Sequence, residues 1–175
     1  PTQGTLSFSA QGLEQGKHRL SLKVTDQQGL SSQDKSISFW LEERAFDWRD
    51  TPMYMLLVDR FANGDASTDA PVGEPVTYSA DWHGGDLQGA RRALEAGYFD
   101  QLGIKAIWLS PINRQVEGHF ADRIGGGRRF AAYHGYWPTS GREIDARYGG
   151  NEGLRDFVQA AHARGIRVLL DLINN

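Results

Sequence analysis

Apolar residues follow two different rhythms along this chain. Over residues 1–41 they alternate with polar ones, in Leu6-Ser7-Phe8-Ser9, His18-Arg19-Leu20-Ser21-Leu22-Lys23-Val24 and Lys35-Ser36-Ile37-Ser38-Phe39-Trp40. Successive side chains of a strand point to opposite faces, so this alternation predicts half-buried β-strands. Gly12 and Gly16 bracket one turn, and Asp26-Gln27-Gln28-Gly29 forms another. Some three strands fall short of the about seven of a closed sandwich. Residues 1–41 therefore read as the C-terminal part of a β-sandwich domain, and residues 42–51 as a linker.

From Pro52 the rhythm changes. Met53-Tyr54-Met55-Leu56-Leu57-Val58 is an unbroken apolar run, the pattern of a strand covered on both faces in a parallel sheet. After the polar stretch Asp59 to Gly85, Leu87, Ala90, Leu94, Tyr98 and Leu102 recur at helical spacing, which predicts one helix from an Asp86 N-cap to Leu102. Gly103 ends it and Ile104 to Leu109 is a second buried strand. Leu154, Phe157, Val158 and Ala161 mark another helix, stopped by Gly165, and Ile166 to Leu170 is a third strand. Strand–helix–strand–helix–strand is the grammar of βαβ units and a parallel sheet, so residues 52–175 are α/β. The connection from Ser110 to about Gly149 is too long for a plain connector and marks a functional loop.

Composition narrows the chemistry. A formal net charge of −3 over 175 residues gives no basis for nucleic-acid binding. The densest basic cluster, Arg128-Arg129 with Arg123, sits around Gly125-Gly126-Gly127, a flexible tip rather than a phosphate loop between strand and helix. Cysteine is absent, which excludes disulfides and thiolate metal sites. No apolar stretch reaches the length of about 18 residues that a membrane span needs. No signal peptide is visible, and the chain opens in mid-pattern at Pro1.

Two stretches carry candidate chemistry. Tyr133-His134-Gly135-Tyr136-Trp137 lies in the long loop beyond the second apolar strand, and strand ends are where α/β proteins bind ligands. Aromatic rings stack on the C–H faces of sugars and an imidazole can donate to a hydroxyl; the alternative is an aromatic loop that only packs the fold. Asp59-Arg60-Phe61-Ala62-Asn63-Gly64-Asp65-Ala66-Ser67-Thr68-Asp69 offers closely spaced oxygens with a glycine bend, and Gly84-Gly85-Asp86 adds a carbonyl and a carboxylate. Such oxygens suit a hard cation such as Ca²⁺, although the spacing is not that of an EF-hand and Asx-rich turns also occur without an ion.

Six stretches, in this order, resemble the α-amylase family of glycoside hydrolases. They are Asp59-Arg60-Phe61 with Asn63-Gly64-Asp65, Gly84-Gly85-Asp86-Leu87-Gln88-Gly89, and Leu102-Gly103-Ile104-Lys105-Ala106-Ile107-Trp108-Leu109-Ser110-Pro111. Tyr133-His134-Gly135-Tyr136-Trp137, Ile144-Asp145 with Arg147-Tyr148-Gly149, and Asp171-Leu172-Ile173-Asn174-Asn175 complete the set. The resemblance covers residues 52–175 and implies the N-terminal portion, about three strands, of a (β/α)8 TIM barrel, while the β-rich lead-in, residues 1–41, resembles the accessory, immunoglobulin-like sandwich that often precedes that barrel. It also implies a fragment of a longer, retaining α-glucan hydrolase acting on maltodextrin, starch or cyclodextrin. A glucan transferase of the same family and a non-catalytic carbohydrate-binding protein are the alternatives.

The same resemblance implies roles for individual residues. Tyr136 would stack under the sugar at the cleavage subsite, His134 would hydrogen-bond that sugar, and Trp137 would line the subsite. Asp171 would orient an arginine near the nucleophile; read from its place at a strand end alone, it is a capping or hydrogen-bonding residue. Asn63, Asp65, Asp69, Gly84 and Asp86 match a structural calcium loop, with Thr68 and Asn175 as further candidate ligands. Thr68 stands where the family usually has Asn, and Ser140-Gly141 replaces the usual acidic-aromatic pair after Trp137. The family's nucleophile and acid/base lie on later strands, so residues 1–175 alone are expected to be inactive, with no catalytic residue among them. The implied partner is an α-glucan; the sequence leaves the location of the parent open, secreted or periplasmic being the expectation.

Overall fold

The computed structural model describes residues 5, 7–122 and 126–174. Leu6, Arg123, Gly125 and Asn175 lie outside the described residues. The chain divides into two compact units, Pro1–Asp47 and Trp48–Asn175, so the division falls inside the stretch read as a linker.

In the first unit, β1 (Gly16–Leu22) pairs antiparallel with β2 (Lys35–Leu41), with His18 opposite Phe39 and Leu20 opposite Ile37. The two strands are joined across the Asp26 turn, where the Asp26 carboxylate accepts from the Gln28 and Leu30 N–H groups. The alternating segment at residues 6–9 forms no strand over its described residues 7–9. Alternation needs a neighbour to hydrogen-bond, and Phe8 instead stays 63% exposed.

In the second unit, β3 (Met53–Leu56), β4 (Ala106–Leu109) and β7 (Arg167–Leu170) form a parallel sheet in the order β3-β4-β7. The strands follow one another across the sheet without a reversal, with Leu56, Leu109 and Leu170 in register. Helices α2 (Leu87–Glu95) and α4 (Gly150–Ala163) complete the two crossovers and pack against each other. Leu87, Ala90 and Leu94 of α2, Phe157 and Ala161 of α4, and Leu56, Ile107 and Leu109 of the sheet are buried in one core. The opposite sheet face is open: Met53, Met55 and Trp108 are 40–46% exposed, so the strands are not covered on both faces as their sequence suggested.

Two helices stop in the same way before feeding strands. After α3 (Tyr98–Gln101), Ile104 N–H donates to Phe99 O and Gly103 N–H to Asp100 O. After α4, Ile166 N–H donates to Ala161 O and Gly165 N–H to His162 O. This is the Schellman arrangement, and the left-handed φ of +69° at both Gly103 and Gly165 is what a glycine adopts without Cβ strain.

Two further expectations are corrected. The predicted helix from Asp86 to Leu102 is broken: α2 ends at Glu95, Gly97 turns left-handed with φ +82°, and α3 begins at Tyr98. The break re-phases the buried face, so Phe99 is fully buried while Tyr98 and Leu102 are exposed. The first apolar run likewise stops being a strand at Leu56; Val58–Phe61 forms a one-turn helix, α1, with Val58 N–H donating to Ser110 Oγ at 3.2 Å. The long loop after β4 is not irregular, for it holds a small hairpin of β5 (Phe120–Ala121) and β6 (Arg129–Phe130).

Candidate functional site

Past the C-terminal end of each parallel strand stands a group of chemical interest: Asp59-Arg60 after β3, Ser110-Pro111 and the long loop after β4, Asp171 after β7. The Tyr133–Trp137 segment is folded back onto these ends. Gly135, with φ +86°, lies so close to Pro111 that a Cβ would collide with the Pro111 carbonyl oxygen. The turn makes the Tyr136 N–H donate to His134 Nδ1 at 2.9 Å. With Nδ1 accepting, a neutral ring carries its proton on Nε2, which is the donor a hydroxyl could meet. Burial lowers the His134 pKa below the usual histidine value and so favours this neutral form.

The rings of His134 and Tyr136 are stacked at 5.8 Å, and Trp137 meets His134 edge-on at 4.5 Å. The Tyr136 hydroxyl donates to Asp171 Oδ2 at 3.1 Å while the ring stays 42% exposed. Burial, and secondarily the Asp171 carboxylate, raise the Tyr136 pKa and keep its hydroxyl a donor. The structure thus brings His134, Tyr136, Trp137 and Asp171 together. Beside them opens a cleft of about 750 Å³, walled by Val116, Phe120, Phe130, His134 and Trp137, with Asp122 among its polar lining.

Among the described residues four buried carboxylates, those of Asp59, Asp81, Asp86 and Asp145, hold the loops, and each is aimed at N–H donors. Asp59 accepts from His83 and Gly84 N–H groups and from Arg60 Nη1. Burial raises its pKa, and these donors oppose the rise. Asp81 accepts from Val72, Gly73 and Trp82 N–H groups, and Asp145 from Gln115 and Arg147. Gln115, also buried, accepts from Trp137 N–H at 2.8 Å and donates to Asn113 O at 2.8 Å, which anchors the aromatic segment from below. Nothing in the sequence singles out Gln115, because a neutral amide inside a loop has no pattern of its own. Asp59 and Arg60 were legible as part of a motif, but not as an ion pair between a buried carboxylate and a partly buried guanidinium with a 2.6 Å contact.

The residues read as cation ligands are partly gathered. Asn63 Nδ2 donates to both Asp69 oxygens at 2.8–2.9 Å. Gly84, with φ +81°, sits where a Cβ would collide with Asp69 Oδ1. Asp86 is the N-cap of α2 through Gly89 N–H, and its other oxygen accepts from Gly64 and Asp65 N–H groups. Asp65 Oδ1 accepts from Ser67 N–H and Oγ, which lowers the Asp65 pKa. Thr68 Oγ1 donates to the Asp65 and Arg147 carbonyls. The donor chemistry of Asn63, Asp69 and the Gly84 carbonyl fits a hard cation. Among the described residues no group of three or more histidine or acidic side chains converges on one point.

Comparison with known proteins places this geometry. The model of the α-amylase catalytic domain matches residues 55–175. The periplasmic α-amylase of Escherichia coli K12 is 39% identical over 133 residues, covering 74% of this chain and 19% of that protein. The solved structure of CldA, a cyclomaltodextrin glucanotransferase, superposes with a TM-score of 0.60 at 34% identity over 69% of this chain and 24% of that one. AmyP, solved in complex with maltose, superposes with a TM-score of 0.54 at 31% identity over 70% of this chain and 23% of that one. The chain spans about a tenth to a fifth of the length of the curated relatives it matches. The three-stranded parallel sheet is the corresponding part of a (β/α)8 barrel, and the chain belongs to the α-amylase family.

Proposed function

We propose that this chain supplies part of the glucan cleft of an α-amylase-family hydrolase acting on α-1,4-linked glucose chains such as maltodextrin or starch. The observation that carries the reading is the Tyr136 N–H donated to His134 Nδ1, which leaves the proton of a neutral ring on Nε2 while the exposed Tyr136 ring stacks beside it. The ring would take the apolar face of one glucose unit and Nε2–H one of its hydroxyls. Asp171 holds the Tyr136 hydroxyl and with it the tilt of that platform. The Phe120 and Phe130 side chains beside Trp137 extend the cleft for neighbouring glucose units.

Retaining hydrolysis needs two carboxyl groups about 5–5.5 Å apart, one as nucleophile and one as acid/base. Asp59, Asp81, Asp86 and Asp145 are all occupied by backbone donors. In this reading the reacting carboxylates come from parts of the parent outside these residues, and the present chain binds and orients. Likeness to CldA keeps transfer to a sugar acceptor as a second reading. The first unit is read as accessory β-sandwich structure and the parent as secreted or periplasmic; the Escherichia coli relative is described as periplasmic. A calcium ion held by Asn63, Asp69 and the Gly84 carbonyl, with Asp65 and Asp86 adjoining, would brace the loop.

The test uses the full-length protein. Maltotriose binding and release of reducing sugar from starch are measured for the wild type and Tyr136→Ala. Loss of both in the variant, with the fold intact, supports the reading. Wild-type protein that neither binds nor cleaves an α-glucan would overturn it.

A further inference from the structure

The segment that presents His134 is gripped at one residue the sugar need not touch. Tyr133, immediately before it, has its ring covered by the Arg60 guanidinium, with Cζ 3.8 Å from the ring centroid. Its carbonyl accepts from the Tyr148 hydroxyl at 2.9 Å. Arg60 is itself fixed along its edge. Nη1 donates to Asp59 Oδ2, and Nη2 donates to the carbonyls of Ser79 at 3.2 Å and Asp81 at 2.9 Å. Asp59 in turn is held by the His83 and Gly84 N–H groups.

With its edge engaged, the guanidinium has its flat face left for an aromatic ring, a pairing that a lysine ammonium cannot reproduce. Tyr133 and His134 rings stand 5.4 Å apart at 71°, so the tilt of one limits the other. We propose that Arg60 is a positioning residue for the sugar site, acting through the face of Tyr133 to set the orientation of the His134 ring. This rests on the proposed glucan-binding role for its consequence, but the positioning itself can be read without a sugar.

The contact ties the end of β3 to the loop after β4. It therefore fixes His134 relative to the sheet rather than only to its own loop. Gly135 on the Pro111 carbonyl and Gln115 under Trp137 fix the segment downstream. Upstream, the grip on Tyr133 is made by Arg60 and Tyr148. Removing the ring should therefore loosen His134 more than it loosens Trp137.

The experiment compares full-length wild type with Tyr133→Phe, which keeps the ring, Tyr133→Leu, which removes it, and Arg60→Lys, which keeps the charge and loses the flat face. The readouts are the His134 titration midpoint by NMR, the melting temperature and the Kd for maltotriose. Tyr133→Phe should behave as wild type. Tyr133→Leu and Arg60→Lys should move the His134 midpoint up toward the ordinary histidine value and weaken maltotriose binding about tenfold, with melting still cooperative. If Tyr133→Leu does not fold, Arg60→Lys makes the same comparison. An unchanged His134 midpoint in these variants overturns the proposal, even if binding falls, because the ring would then be a sugar contact. If no form binds maltotriose, the glucan reading fails while the titration still decides the role of Arg60.

Discussion

The backbone N–H of Tyr136 points at Nδ1 of His134 across 2.9 Å, and this one contact selects the tautomer of the histidine. Protonation of Nδ1 would set two donors against each other, so acid must either break the contact or leave the ring neutral. Burial already lowers the His134 pKa, which gives the linkage its sign. The unfolded chain takes up the proton first, near the ordinary value of about 6.5. Above that pH neither state is charged and His134 adds nothing to the pH dependence. As pH falls below about 6.5, the unfolded state is favoured until the folded ring also titrates. The melting temperature of wild type minus that of His134→Gln should therefore fall on acidification below this point, whereas maltotriose affinity should hold until the folded ring itself titrates at lower pH. A flat difference from pH 7 to 5 would show that His134 is not held neutral.

Tyr136 combines an exposed ring with a hydroxyl bound to Asp171, and two substitutions separate them. Tyr136→Phe keeps the ring and loses one hydrogen bond within the protein, worth about 1 kcal/mol of stability at most, and should change maltotriose affinity little. Tyr136→Ala also loses the stacking surface and should cost at least about tenfold more in kcat/KM or maltotriose binding. Because the ring is partly solvent-exposed, the melting temperature should move by only a few degrees. A collapse of the fold in Tyr136→Ala would assign the ring to packing instead.

A bound cation stabilises the folded state by mass action, by about 2.7 kcal/mol when its concentration is 100 times Kd. If calcium sits at Asn63, Asp69 and the Gly84 carbonyl, EDTA should lower the melting temperature of the full-length protein by several degrees, and added Ca²⁺ should restore it. Asp69→Ala should remove this response. The proposal fails if the melting curve is the same in EDTA and in millimolar Ca²⁺.

How far the sequence could be read differs between the sheet and the loops. The three strands, the Asp86 cap and the Gly103 and Gly165 stops were legible because each rests on local periodicity or on one residue's backbone preference. The break at Gly97 was not: Leu87, Ala90, Leu94 and Tyr98 keep helical spacing straight through it, and only the burial of Phe99 reveals the new phase. The alternation likewise gave no strand over the described residues 7–9, since a strand depends on a partner that periodicity does not report. His134, Tyr136 and Trp137 could be named from their composition and family likeness. Their support could not, because Gln115 reaches Trp137, and Arg60 and Tyr148 reach Tyr133, from 15 to 73 positions away through contacts that leave no spacing in the chain.

Asp86 tests whether the polar loop is held by its own hydrogen bonds or by an ion. Its carboxylate is buried and accepts from three N–H groups, those of Gly64, Asp65 and Gly89. Two of these close the loop and the third caps α2. Asp86→Ala leaves all three donors without this partner, in a place where each unsatisfied group costs about 1–3 kcal/mol, and the lost cap alone costs about 1 kcal/mol. The expected loss is therefore about 3 kcal/mol or more, and most of it should remain in EDTA. Asp69→Ala, in contrast, should be costly only when calcium is present. Urea unfolding of both variants with and without EDTA makes the distinction. If the Asp86→Ala loss vanished in EDTA, the carboxylate would be acting as a metal ligand, and the hydrogen bonds to Gly64 and Asp65 would contribute little to holding the loop.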